Sequence, residues 1–141
     1  MDIIIKKDIA GVDWDAVAAL LAKADMGEYP ADFFRKAFEN SYSVAFAYDE
    51  GTLIALGRAL SDGLYEGALY DVAVDPDRQG EGIGRMIIEA LMQDLEGFNV
   101  ILYSSPGKEG FYRRLGFSAM KTGFAVFGCK DPIFVESLIE R

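Results

Sequence analysis

The chain has 141 residues, with 14 Lys and Arg against 23 Asp and Glu and a net charge of −9, a balance that argues against a nucleic-acid partner and suits a cationic small molecule. One cysteine, Cys129, and no histidine exclude a disulfide framework and a Cys/His zinc site. Apolar runs of four to six residues fall far short of the roughly 20 that cross a bilayer, and MDIIIKKDIAG lacks the pattern of a secretory leader, so the expectation is a cytoplasmic protein without a membrane partner.

The length suits one domain over 1–141, large enough to bury roughly 68–70% of its unfolded surface. Residues 2–6 read as a short strand. Asp13 caps a helix over 14–25, with Val17, Leu20, Leu21 and Ala24 as its apolar stripe. Pro30 suits the first turn of a second helix that runs to about Phe38. Val44, Phe46 and Tyr48 alternate in a strand that turns at Asp49–Gly51 and pairs back through 52–60. A third long strand covers about 67–75, and a helix from about Gly80 to Leu95 buries Ile83, Ile87, Leu91 and Leu95. NVILYS, at 99–104, reads as a strand covered on both faces. A short helix over 108–115 ends at Gly116, FSAMKT and FAVFG follow as terminal strands, and DPIFVESLIE closes as a helix. This order predicts an α/β (α+β) fold. Cys129 reads as a small apolar residue.

The chemistry concentrates where the third strand meets its helix. There VAVDPDRQGEGIG, residues 72–84, places glycines where a helix N-terminus leaves backbone N–H groups unpaired. Without a Cβ an anion can approach those groups, although glycines at a turn can equally serve tight packing alone. A P-loop would need Gly-Lys-Ser/Thr, which is absent. A dinucleotide fingerprint would need glycine at position 85, which is Arg85.

Gln79, Gly82 and Gly84 match every fixed place of the Arg/Gln-x-x-Gly-x-Gly/Ala loop of the GNAT superfamily of acyl-CoA-dependent N-acetyltransferases. About 30 residues on, GFYRRLGF (110–117) is similar to that family's Phe-Tyr-x-x-x-Gly-Phe segment. The chain therefore resembles the small single-domain bacterial members. The resemblance implies a central mixed, mostly antiparallel sheet with a splayed strand, flanked by helices. It also implies acetyl-CoA as co-substrate, no metal, and a homodimer.

On the matching positions, Val72, Ala73 and Val74 would pair through their backbone with the pantetheine arm. Gln79, Gly80, Gly82, Ile83 and Gly84 would cradle the pyrophosphate, with Glu81 and Arg85 flanking it. Tyr112 would be the proton donor to the leaving thiolate, since a phenol with a pKa near ~10 is protonated at neutral pH. Asp71 interrupts an apolar strand next to the expected thioester, and is either a general base or a structural carboxylate at a bulge. Asp62 and Glu66 would attract a cationic amine, and Trp14, Tyr29, Phe33, Phe34 and Phe38 would line an aromatic entrance. The implied reaction is acetyl transfer to a primary amine of a small molecule by direct attack. A protein N-terminus or lysine as acceptor, or a non-catalytic acyl-CoA-binding module, are the alternatives.

Overall fold

The computed structural model describes residues 2–128 and 131–140, so Cys129 lies outside the described residues. The chain divides into two compact units, Met1–Leu102 and Tyr103–Arg141.

The first unit is a five-stranded sheet with helices on its faces. In chain order its elements are β1 (Ile3–Lys6), α1 (Trp14–Lys23), α2 (Ala31–Glu39), β2 (Ser43–Asp49), β3 (Thr52–Ser61), β4 (Glu66–Val74), a 3-10 turn at Pro76–Arg78, α3 (Ile83–Gln93) and β5 (Asn99–Ile101). The strands lie in sequence order, antiparallel except for the parallel β4–β5 pair. Asp13 caps α1 as its position suggested: Oδ1 accepts the N–H groups of Asp15 and Ala16 at 3.0 and 3.2 Å. Glu50 (φ 49°) and Gly51 (φ 81°) form the two-residue turn between β2 and β3, whose paired positive φ values match the right-handed strand twist.

Val17, Leu20 and Leu21 of α1 and Phe34 and Phe38 of α2 pack on Val44, Phe46, Leu56 and Ala73 of the sheet. Each of these larger side chains contributes roughly 1.5–3 kcal/mol by leaving water. α3 covers the other face, where a Cβ at Gly57 would lie 2.9 Å from Ile87 and 3.1 Å from Leu91. Gly57 thus lets that helix approach the strand. Among the described residues, no helix is long and apolar enough to cross a membrane.

The second unit holds α4 (Glu109–Arg114) and α5 (Pro132–Leu138). α4 stops because Gly116 turns left-handed (φ 95°). The N–H of Phe117 then reaches the Tyr112 carbonyl at 3.0 Å, and that of Gly116 reaches Arg113 at 3.1 Å. Phe117 also meets the Tyr112 ring edge-on, the apolar contact that accompanies this type of helix end. Asp131 caps α5 through the N–H groups of Ile133 and Phe134.

Three sequence expectations are corrected. α3 starts at Ile83 rather than Gly80, because Gly80 and Gly82 are left-handed. β5 has three residues with Asn99 and Ile101 exposed, so NVILYS is not a strand covered on both faces. FSAMKT and FAVFG form no strand among the described residues, since alternation makes a strand only where a partner supplies the ladder.

Candidate functional site

β4 pairs with β3 at Gly67–Tyr70 and again at Ala73 and Val74, but β5 accompanies only Glu66, Gly67 and Ala68. The β5 pairing ends at Ala68, and from Asp71 to Val74 the far edge of β4 has no strand partner among the described residues. Val72, Ala73 and Val74 lie in this stretch, where an extended chain of amides can add to the sheet. The strand is also distorted there. Leu56 faces Ala73 and Arg58 faces Tyr70, so Gly57 opposes both Asp71 and Val72 in a bulge. Asp71 is the extra residue, in the left-handed region at φ 56°.

What holds the bulge is a residue the sequence reading passed over. Arg58 Nε donates to Asp71 Oδ2 at 2.7 Å, with 16% and 22% of the two side chains exposed. The guanidinium also lies over the rings of Phe38 and Tyr70, at 5.9 and 5.5 Å from their centroids. An arginine in the apolar strand TLIALGRAL was the available signal, since a charge there needs a partner.

Beyond Val74 the chain enters the glycine loop. Asp75 accepts the N–H of Asp77 at 2.9 Å and starts the turn. Gly80 (φ 83°) and Gly82 (φ 80°) follow, and a Cβ on either would meet no atom within 4 Å. These glycines serve backbone conformation and leave open space beside them, so tight packing does not explain them. The first rung of α3 joins the Met86 N–H to the Gly82 carbonyl at 3.3 Å, so the amides of Ile83, Gly84 and Arg85 precede the helical ladder. Gln79, Gly80, Glu81 and Gly82 complete the concave turn before them.

Ion pairs anchor this loop. Arg78 bonds Asp49 at the end of β2 and Glu81 within the loop, at 2.9 and 3.1 Å. Lys23 at the end of α1 holds Asp75 and Asp77, each at 2.8 Å. That contact keeps the Asp75 carboxyl below its usual range, and raises the Lys23 ammonium. Glu81 therefore serves as the partner of Arg78. Arg85 pairs with Glu89 one turn along α3 at 2.6 Å, an exposed pair of small energetic weight.

The other candidates divide by burial. Phe34 and Phe38 are core, and Trp14 packs on Phe38 and Phe46. Only Tyr29 and Phe33 of the expected aromatic entrance are half exposed, stacked 4.3 Å apart. Beside them an open depression of about 610 Å³ is lined by Phe33, Lys36, Ala37, Asn40, Arg58 and Leu60. Asp62 accepts the N–H groups of Leu64, Tyr65 and Glu66, which hold its carboxyl below the usual range, and Glu66 accepts from Asn99. Asp62 thus organises the loop before β4, and the Glu66 carboxylate ties the start of β4 to β5. In the second unit Tyr112 lies between the rings of Phe111 and Phe117, and burial raises its phenol above the ordinary value of 10.0. Among the described residues, no cluster of His, Cys, Asp or Glu is arranged to hold a metal.

A family model described as an acetyltransferase (GNAT) domain matches residues 40–119, which contain the bulge, the glycine loop and Tyr112. The chain belongs to the GNAT acetyltransferase family. A serotonin N-acetyltransferase 2 from Oryza sativa subsp. japonica is 33% identical over 121 residues, which cover 81% of this chain and 60% of the relative. A histone acetyltransferase from Glycine max is 32% identical over 126 residues, covering 79% of this chain and 54% of that protein. The GNAT chain thus spans little more than half the length of these curated relatives. A GNAT-family acetyltransferase from Streptococcus pneumoniae TIGR4 has the same fold, with a TM-score of 0.78 at 22% identity, covering 92% of this chain and all of the other. The family uses acetyl-CoA as co-substrate, and the open β4 edge followed by the left-handed glycines is a set of residues that fits it.

Proposed function

We propose that this GNAT domain is an N-acetyltransferase that moves an acetyl group from acetyl-CoA to a primary amine of a small molecule. One observation carries the reading: the edge of β4 at Asp71–Val74, which has no strand partner among the described residues, runs directly into a loop whose two left-handed glycines open onto the N-terminus of α3. An extended amide chain ending in a pyrophosphate needs that succession, a strand edge and then convergent N–H donors.

In this mechanism Val72, Ala73 and Val74 bind the pantetheine arm through their backbone. The amides of Gln79, Gly80, Gly82, Ile83 and Gly84 hold the pyrophosphate. Acetyl-CoA supplies the thioester; the neutral amine attacks its carbonyl carbon, the C–N bond forms and the C–S bond breaks. Backbone N–H groups at the bulge stabilise the charge that develops on the carbonyl oxygen. Tyr112 donates its phenolic proton to the departing thiolate, and its burial, which favours the neutral phenol, supports that role. Asp71 acts by holding the bulge through Arg58, its carboxylate being engaged at 2.7 Å, and the ammonium proton leaves through water.

The depression beside Arg58 and the stacked Tyr29–Phe33 pair support an acceptor with an apolar or aromatic body. The serotonin named for the rice relative is such an amine. Calorimetric titration with acetyl-CoA, followed by an amine panel read by release of free thiol, tests the proposal. Saturable binding and turnover of small aromatic amines are expected. Absence of binding at millimolar acetyl-CoA overturns the reading, and turnover confined to peptides moves the acceptor to a protein.

A further inference from the structure

The depression beside Arg58 is charged opposite to the chain that forms it. The net charge is −9, yet the residues lining the depression include two cations, Lys36 and Arg58, and no carboxylate. α2 supplies one side, where Phe33, Lys36, Ala37 and Asn40 are three or four residues apart and share a helix face. β3 supplies the other, since Arg58 and Leu60 are two apart and point to the same side of the strand.

Neither cation is saturated by its partners. Asp71 engages Arg58 through Nε, at 2.7 Å, and Nη1 reaches Ser41 Oγ only at 3.5 Å. Nη2 makes no hydrogen bond among the described residues, although the side chain is mostly buried. A guanidinium carries five N–H donors, and buried donors left without an acceptor are destabilising. Lys36 meets Asp32 at 3.3 Å on open surface, a pair of little weight, and Arg35 already bonds that carboxylate. A ligand carboxylate meets both needs, with two coplanar acceptors for the guanidinium fork and a counter-charge for the ammonium.

The place of Arg58 in the fold narrows the ligand further. Its Nε edge is bonded to Asp71 at the bulge, next to the stretch of β4 proposed to receive the thioester. A carboxylate on the opposite edge of the same guanidinium therefore belongs to a molecule whose amine is close to its acid group. Phe33, with Tyr29 stacked on it at 4.3 Å, and Leu60 offer exposed apolar surface to the rest of that molecule.

We infer, on the footing of the acetyl transfer proposed for this domain, that its acceptor is an α-amino acid with an apolar or aromatic side chain, its carboxylate held by Lys36 and the Nη edge of Arg58. The C–N bond forms at the α-nitrogen and the C–S bond breaks. Overall an α-ammonium and acetyl-CoA give an N-acetyl amino acid, CoA thiol and one proton released to water.

Steady-state assays on the whole chain at saturating acetyl-CoA, read by free thiol, test it with matched acceptors. Phenylalanine is compared with phenethylamine, and leucine with isopentylamine, each pair differing by the carboxylate alone. In at least one pair kcat/KM is expected to be roughly tenfold or more higher for the amino acid. Lys36→Gln, at an exposed position, is expected to shrink that preference roughly threefold by raising KM for the amino acid. The intrinsic reactivities of the two amines cancel in that comparison. Equal rates within both pairs, a preference for the plain amines, or a preference that Lys36→Gln leaves unchanged overturns the inference, while turnover of either acceptor keeps the acetyl-transfer reading. Bound acetyl-CoA with no turnover of any of the four also overturns the inference. Absence of acetyl-CoA binding by calorimetry overturns both together.

Discussion

Replacing Asp71 by Asn separates the two roles a carboxylate can have at this place. Asparagine keeps the size and tolerates the left-handed backbone that Asp71 adopts at φ 56°, so the substitution removes only the charge. The pair with Arg58 is short, and each side chain is less than a quarter exposed, so it lies between a surface pair and a buried one. Removing that charge leaves the Arg58 guanidinium without its counter-ion in this setting and costs roughly 2 kcal/mol. For a chain of this length that lowers Tm by roughly 4–8 °C. With the bulge loosened, KM for acetyl-CoA rises a few-fold while kcat stays within about tenfold of the parent, because no proton transfer has been removed. Thermal unfolding and steady-state kinetics with both substrates varied provide the measurements. A general base contributes roughly 10²- to 10⁴-fold, so a kcat loss in that range with unchanged Tm and KM would refute the holding role and make Asp71 the base.

Tyr112→Phe should lower kcat by roughly a hundredfold or more while CoA affinity changes little, and unchanged turnover removes Tyr112 from the mechanism. Burial raises the Tyr112 pKa above 10.0, so the protonated acid persists through neutral and mildly alkaline pH. Its contribution to kcat, and its linked contribution to stability, should therefore fade only as pH rises past 10; a Tyr112-dependent fall in kcat centred well below that contradicts the assignment. Gly82→Val forces a branched side chain into φ 80°, a strain of roughly 1–2 kcal/mol, and should weaken CoA binding roughly five- to thirtyfold by calorimetry. Asp13→Ala removes two cap bonds far from the loop and should cost about 1 kcal/mol in denaturant unfolding with kcat unaltered.

By itself the sequence determined what depends on neighbours a few residues apart. Asp13 reads as a cap because its side chain reaches the next turn, and Gly116 reads as a stop because only a few residue types turn left-handed at low cost. The glycine loop was legible for the same reason, as was the family resemblance carried by Gln79, Gly82, Gly84 and the GFYRRLGF segment. Tertiary structure decided what depends on distant partners. Asp71 reads from the sequence as either a base or a structural carboxylate, and only the fold brings Arg58, thirteen residues earlier, to 2.7 Å from it. Gly57 looked like any strand residue, yet Ile87 and Leu91 of α3 occupy the space a Cβ would need. Of the aromatic residues expected at an entrance, Phe34 and Phe38 are buried because the sheet and α1 pack on them, while Tyr29 and Phe33 stay half exposed. Phe124 and Val126 alternate as a strand does, but alternation describes a face without supplying what covers it. A strand is completed by a second strand, and no local pattern contains one.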